Sequence, residues 1–277
     1  MGRLTTFLVH TLALARSSPA DVARVSVQLE LALATLLFLS REPGRLASLS
    51  ATDNQVIVNM AFMAIPPAIA LAIPIYYVSP TSLRTPLILY ITAAFLEILA
   101  EPFFLLSRNA LHVSVRAKIE SLSSVARSIC IFLFIYTSAD LPDIPMIFAY
   151  AQFINGLVIL LGYLLHHVLE ADSPQVKLYP CPISNNQKPK LKNSLSLKYG
   201  HILDSQYRSE LTPCSRSYYI SPQQKTKLIR FWEQSIFKHL LTEGDKIILN
   251  WLADEHVQGI YAFVSNYGML CFSFGEN

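Results

Sequence analysis

Five long apolar runs constrain this chain more than any other feature of its sequence. They cover residues 22–39, 55–78, 86–106, 119–137 and 144–169. About 20 predominantly apolar residues are enough for a helix to cross the hydrocarbon core of a bilayer. Only 15% of the 277 residues are charged, whereas about a quarter are charged in a typical soluble domain. The runs therefore predict an all-α, polytopic transmembrane helix bundle.

Lysine and arginine alternate between the connections of these runs. The connections after the first and third runs are basic, with Arg41, Arg45, Arg108, Arg116 and Lys118. The opposite connections, residues 79–85 and 138–145, carry one arginine and two aspartates respectively. Because basic residues near helix ends stay on the cytosolic side, the basic connections are predicted to be cytosolic.

The composition divides the chain into three parts. Residues 1–169 form the predicted first transmembrane bundle, whose first helix is incomplete because residues 4–15 are too short to span. Residues 170–230 are rich in Pro, Ser, Asn and Lys and lack an apolar run, which predicts a polar, basic, cytosolic loop. Apolar character returns in residues 231–277, which are predicted to hold two further helices.

Two carboxylates interrupt the third apolar run. Glu97 and Glu101 are four residues apart, so a helix places them on one face, and Pro102 predicts a kink beside them. An ionisable side chain near the bilayer centre costs at least about 2.5–3.5 kcal/mol on insertion scales. Arg24 and Arg127 are the nearest candidate partners on other runs. Three interpretations remain open: buried pairs that hold helices in register, a substrate or ion pathway, and a position of Glu101 in the headgroup region.

A second group of charges lies in the stretch LLTEGDKIILNW, residues 240–251. Glu243, Asp245 and Lys246 surround Gly244, and Asn250 follows one turn later. Glycine in a spanning helix is either a flexion point or a place of close packing. The pattern predicts a segment that faces a cavity or an interface, with a functional and a local structural role both open.

The sequence carries no pattern of an enzyme. GxSxG, P-loop and HExxH motifs are absent, as is an aspartate-rich box for a prenyl diphosphate. The four cysteines lie far apart without a CxxC pair, which argues against a zinc site and a disulfide framework. The net charge of +3 gives no reason to expect nucleic acid as a partner. The chain is therefore predicted to be no enzyme and to need neither metal nor cofactor.

Three stretches resemble the Rft family of endoplasmic-reticulum oligosaccharide translocation proteins, in a fungal form. They are SRE at residues 40–42, EILAEPFFLLSRNALHVSVRAKIESLS at 97–123 and FKHLLTEGDKIILNWLADEHVQGIYAFVSNYG at 237–268. The resemblance covers residues 3–269 apart from the loop. Because family members are about twice as long, the chain is expected to be a truncated fragment that starts inside the first helix.

The resemblance implies a fold and a function. The family belongs to a superfamily of multidrug and lipid-linked-saccharide exporters with two six-helix bundles around a cavity, so a MATE-like first bundle and the start of the second are expected. The implied function is that of a flippase, the translocation of Man5GlcNAc2-PP-dolichol into the luminal leaflet of the endoplasmic reticulum for N-glycosylation. The alternative is a non-transporting scaffold or accessory protein of that pathway.

The two functions assign different roles to the same charges. In a transporter, Arg24, Arg41, Arg127 and Lys246 would contact the diphosphate, since fixed cations suit phosphate oxygens. Acidic side chains would position those cations or bind sugar hydroxyls, namely Glu30, Glu97, Glu101 and Glu243; Asp245 and Asn250 complete the candidate cavity. The expected partners are the dolichol-linked oligosaccharide, membrane lipid and other N-glycosylation components. In a scaffold the charges would be structural, and residues 170–230 would be a docking or lipid-contact segment.

Overall fold

The computed structural model of the protein describes residues 18–51, 53–137, 143–169, 178–182 and 219–275. These residues contain helices and no strand, and five of the helices are long and apolar enough to cross a membrane. The all-α, multi-pass membrane fold predicted from the apolar runs is confirmed. The predicted incomplete helix at residues 4–15 and most of the predicted polar loop lie outside the described residues.

The described part of the chain forms seven successive helical elements. The five candidate spans are α1 (Pro19–Ser48), α2 (Asn54–Val78), α3 (Thr81–Asn109), α4 (Val113–Thr137) and α5 (Ile144–Leu169). They are followed by α6 (Pro222–Leu252) and α7 (Glu255–Gly275). Each predicted apolar run lies inside one span, and most spans extend further at their polar ends.

The start of α6 differs from the predicted boundary at residue 230. The helix begins at Pro222, so its first turns occupy sequence that the composition indicated as loop. Ser221 caps it, because its hydroxyl accepts from the Gln224 N–H while the Gln224 side chain accepts from the Ser221 N–H. This capping box and a proline at the first helical position start the helix before any apolar residue is reached.

Three of the spans are interrupted. Helix α1 contains a π-helical segment at Arg24–Leu29. Helix α2 breaks between Asn54–Phe62 and Ile65–Val78, next to two prolines. Helix α3 breaks at Ala100, directly before Glu101 and Pro102, which confirms the predicted kink. Proline lacks the N–H that would continue the helix and its ring clashes with the preceding turn.

Helix α1 occupies a central position. It packs against α2 and α3 on one side and against α6 and α7 on the other. Helix α5 packs against both α3 and α4, and it lies very close to α3 at Gly156, where an added Cβ would lie 2.7 Å from the Ala93 carbonyl oxygen. The ends of α1 and α3 and the start of α4 carry Arg45, Arg108 and Arg116, and this side is called the basic end below.

A buried asparagine holds two distant parts of the chain at the basic end. The Asn59 amide on α2 donates to the carbonyl oxygens of Cys181 and Tyr219, each at 2.8 Å. Its Oδ1 atom accepts from the Cys181 N–H at 3.1 Å, and the side chain is almost fully buried. One side chain therefore fixes both flanks of residues 183–218, and with them the entry into α6.

Replacement of Asn59 by alanine is expected to destabilise the protein by about 1–2 kcal/mol, because it removes three partly buried hydrogen bonds to the backbone. Thermal unfolding of the purified protein in detergent measures the loss. The matched control is Asn109→Ala, which removes one exposed side-chain bond to Asn54. Limited proteolysis adds a second readout, since the chain around residues 178–182 and 219–221 should be cleaved faster. Equal unfolding temperatures of the two variants would contradict the role assigned to Asn59.

Candidate functional site

Two parallel ion pairs connect α1 with α3. Arg41 Nη1 lies 3.1 Å from Glu97 Oε2, and Arg45 binds Glu101 through two atoms, with Nη2 at 2.8 Å from Oε2. The carboxylates are 7% and 2% exposed. Both partners repeat at a spacing of four residues, so one face of each helix supplies the two pairs. A two-atom arginine–carboxylate contact is among the strongest polar contacts in proteins.

Glu97 also binds a third helix. Its Oε1 atom accepts hydrogen bonds from Gln152 Nε2 at 3.2 Å and from Asn155 Nδ2 at 3.4 Å, both on α5. Arg41, Gln152 and Asn155 together satisfy both oxygens of this buried carboxylate. Glu97 thus joins α1, α3 and α5 in the middle of the bundle.

The partners suggested by the sequence are wrong. Arg127 pairs with Glu30 at 3.1 Å, and Arg24 pairs with Glu255 on α7 at 3.0 Å. Arg41 and Arg45 were assigned to a connection, whereas α1 continues through Pro43 to Ser48 and places both inside the helix. The helix persists there because its charged side chains have partners on the neighbouring helices, which a hydropathy pattern does not show.

The geometry of these pairs is typical of charges that support a structure. Removing a buried charge from water costs several kcal/mol, which only close pairing and further hydrogen bonds offset. Glu101 has two contacts to Arg45, and Glu97 has contacts to three side chains. The geometry therefore favours the interpretation that Glu97 and Glu101 hold helices in register. Their contact with a substrate stays a prediction.

A polar seam runs between α1 and the pair α6 and α7. Gln28 Nε2 donates to Gln258 Oε1 at 3.2 Å, and Thr35 Oγ1 lies 2.9 Å from His239 Nε2. Lys238 Nζ lies 2.9 Å from Glu42 Oε1 nearer the basic end. Together with Arg24 and Glu255 these contacts reach from one end of α1 to the other. These contacts form the α1 seam.

The second sequence cluster lies on α6 near its far end. Lys246 Nζ pairs with Glu243 Oε2 at 2.8 Å, one turn away on the same helix. The Tyr261 hydroxyl on α7 donates to the Asp245 carboxylate. Asn250 is exposed, and a Cβ added at Gly244 would meet nothing within 4 Å. The glycine marks an open place on the helix, not a close contact.

The structure thus distributes the ten predicted residues over four separate groups. The first is the pair of α1–α3 bridges, with Glu97, Glu101 and Arg41. The second is Glu30 with Arg127, and the third is Arg24 in the α1 seam. The fourth is the α6 cluster of Glu243, Asp245, Lys246 and Asn250.

Several residues of these groups were missed. Arg45 could have been found from its spacing to Arg41, which equals the spacing of the two glutamates. Gln152 and Asn155 could have been found as polar residues inside an otherwise apolar run. Glu255 and His239 carried no sequence signal that connects them with α1.

Comparison with known proteins gives a consistent result. A family model described as Rft protein matches residues 1–272. The chain is 28% identical to a Saccharomyces cerevisiae relative, covering 97% of this chain and 52% of the relative. It is 26% identical to relatives from Dictyostelium discoideum (99% and 50% covered) and Mus musculus (97% and 49%). Each relative is named Man(5)GlcNAc(2)-PP-dolichol translocation protein RFT1.

Each of these matches covers only part of the relative. The chain spans about half the length of the curated relatives it matches, although almost all of the chain takes part in each match. No solved structure matches the chain significantly.

Proposed function

Because this chain belongs to the Rft protein family, we propose that the full-length protein translocates Man5GlcNAc2-PP-dolichol across the endoplasmic-reticulum membrane. The movement is from the cytosolic to the luminal leaflet and supplies protein N-glycosylation. The observation that carries the proposal is the match to the family over residues 1–272, together with the shared name of the relatives. Because the chain covers half of those relatives, the activity is assigned to the full-length protein.

The domain division becomes part of this proposal. Residues 1–169 constitute the first helix bundle, and α6 and α7 are the first two helices of a second bundle. The α1 seam then lies between the bundles, and transport requires the two to move relative to each other. The hydrogen bonds of the seam suit such movement, since water can replace them when the helices separate.

The chemistry of the cargo restricts which residues touch it. Its diphosphate and sugars need a polar path, while its dolichol tail remains in lipid. Arg24 is partly exposed and belongs to the α1 seam, so it suits contact with the diphosphate better than the buried bridges of Glu97 and Glu101. Lys246 on α6 is the second candidate, and both are cations that phosphate oxygens favour. No nucleotide motif is present in the sequence, so consumption of the cargo on the luminal side would set the direction.

Reconstitution of the full-length protein tests the proposal. Vesicles carry labelled Man5GlcNAc2-PP-dolichol in both leaflets, and a membrane-impermeant mannosidase trims the outer leaflet. Protein should allow the inner-leaflet share to be trimmed as well, and Arg24→Gln should slow this exchange. The matched control Lys225→Gln changes an exposed cation at the start of α6 and should exchange like the unaltered protein. Exchange no faster than in empty vesicles would refute transport by this protein.

One observation favours the alternative, a non-transporting scaffold of the glycosylation pathway. The buried charges of α1 and α3 are paired with each other, as structural charges would be. The two functions separate when the vesicle assay is combined with cells that lack the protein. Under-glycosylation in those cells, without exchange in vesicles, would establish the scaffold.

A further inference from the structure

Three guanidinium groups surround one buried phenylalanine at the basic end. The Phe104 ring centroid lies 4.3 Å from the Arg45 guanidinium carbon, 5.0 Å from that of Arg116 and 6.0 Å from that of Arg108. The three arginines come from α1, α4 and α3 respectively. A cation over an aromatic face is attracted by the ring quadrupole, and the ring holds the three side chains together.

The charges of this cluster do not balance. Arg45 pairs with Glu101, and Arg116 pairs with Glu120 at 2.8 Å. Arg108 has no carboxylate at ion-pair distance among the described residues. Its Nη2 atom donates to the Arg45 carbonyl at 2.9 Å and to the Ser48 hydroxyl at 2.6 Å, which are neutral acceptors. The remaining donors on Nε and Nη1 are thus available beside two further arginines.

The surroundings of the cluster indicate a bilayer surface. Leu49, Leu111 and Val113 at the adjoining helix ends are 69%, 81% and 71% exposed. Leu111 adopts a φ of 59°, which non-glycine residues rarely take, in the turn between α3 and α4. Protruding apolar side chains beside basic ones are typical of contact with headgroups and the upper acyl region. A water-filled path for sugars would not need such residues.

We propose that Arg108, together with Arg45 and Arg116, binds the phosphate of an anionic phospholipid in the leaflet at the basic end. Phosphate oxygens fit the fork of a guanidinium in a two-atom contact, and the ligand supplies the charge that the cluster lacks. Ser48 and the α1 carbonyl fix the Arg108 side chain before the lipid arrives. The site is proposed as separate from the translocation path, because exposed apolar side chains adjoin it.

Titration of lipid onto the full-length protein in detergent, followed by native mass spectrometry, tests the site. The probes are dioctanoyl phosphatidic acid and, as the zwitterionic reference, dioctanoyl phosphatidylcholine. Arg108→Gln is expected to weaken binding of the anionic probe about fivefold, the effect of one interfacial charge, and to leave the zwitterionic probe unchanged. The matched control is Arg84→Gln, which removes a cation over Tyr76 at the opposite end of the same helix and should bind normally.

Two further measurements test whether the variant is folded and where the bound phosphate comes from. Unfolding temperatures show whether Arg108→Gln is folded; if it is not, Arg116→Gln on the exposed side of the cluster should weaken binding in the same direction. Inorganic diphosphate should displace the lipid only weakly, because it lacks the acyl chains that contact the exposed apolar side chains beside the cluster. Displacement by diphosphate at the same concentration as the lipid would assign the site to the cargo instead. Equal weakening by Arg84→Gln, or none by the cluster variants, would overturn the proposal.

Discussion

Glu101→Ala is expected to destabilise the protein by about 3–5 kcal/mol, because it leaves the charge of Arg45 without its partner in a tightly packed place. Glu101 is 2% exposed, and its two carboxylate oxygens each accept a hydrogen bond from the Arg45 guanidinium. Its loss also removes one of the links between α1 and the second segment of α3, directly after the kink. Thermal unfolding in detergent, or the concentration of dodecyl sulfate that unfolds the protein, measures the change.

A second ion pair of the same chemistry serves as the control. Arg116 and Glu120 are 47% and 51% exposed and lie four residues apart on α4. Such a pair contributes only about 0.3–0.5 kcal/mol, so Glu120→Ala should have little effect. The double variant Glu101→Ala with Arg45→Ala should lose less than the sum of the two single changes, since neither charge is then left alone. A loss from Glu101→Ala no larger than from Glu120→Ala would contradict the structural role.

The spans were predictable because a bilayer imposes a simple condition. Every backbone N–H and C=O in hydrocarbon must be bonded within the segment, so length and hydropathy alone identify helices. The kink at Pro102 followed from the missing N–H of proline in the same way. The course of α1 beyond Leu39 could not be predicted, because Arg41 and Pro43 are typical of the end of a span. The helix continues there because contacts from other helices compensate its charges.

The α1–α3 bridges were predictable in part. The spacing of Glu97 and Glu101 predicted one shared face, and this is what the structure shows. The arginines of α1 have the same spacing, and each lies 56 positions before its glutamate. Two helices that run in the same direction match equal spacings in register. The sequence contained both halves of the pattern, but assigning one half to a connection concealed it.

Contacts between distant segments could not be predicted. Asn59 binds backbone carbonyls of Cys181 and Tyr219, and a backbone group carries no residue-specific signal in a sequence. The α1 seam depends on how α6 lies against α1, which hydropathy does not determine. Packing in membranes rests on close fit and on small residues, so the position of one glycine can decide it.

Gly156→Ala is expected to destabilise the protein by about 3 kcal/mol, at the upper end of the range for added volume in a packed interface. The new Cβ would lie 2.7 Å from the carbonyl oxygen of Ala93, a backbone atom of α3 that cannot rotate away. Helix α5 must therefore move away from α3 along their shared interface. The unfolding temperature of the purified variant measures the loss.

Gly244→Ala should instead increase the stability of the protein. A Cβ there meets nothing within 4 Å, and alanine is favoured over glycine inside a helix by about 1 kcal/mol. The effect at Gly156 also reaches the buried charge, because Gln152 and Asn155 on α5 donate to Glu97. If α5 moves, Glu97 loses these donors, and Glu97→Gln should then cost less in the Gly156→Ala background than alone. Additive losses would show that the glycine contact and the Glu97 network are separate, and a gain in stability from Gly156→Ala would refute the close approach of α5 and α3.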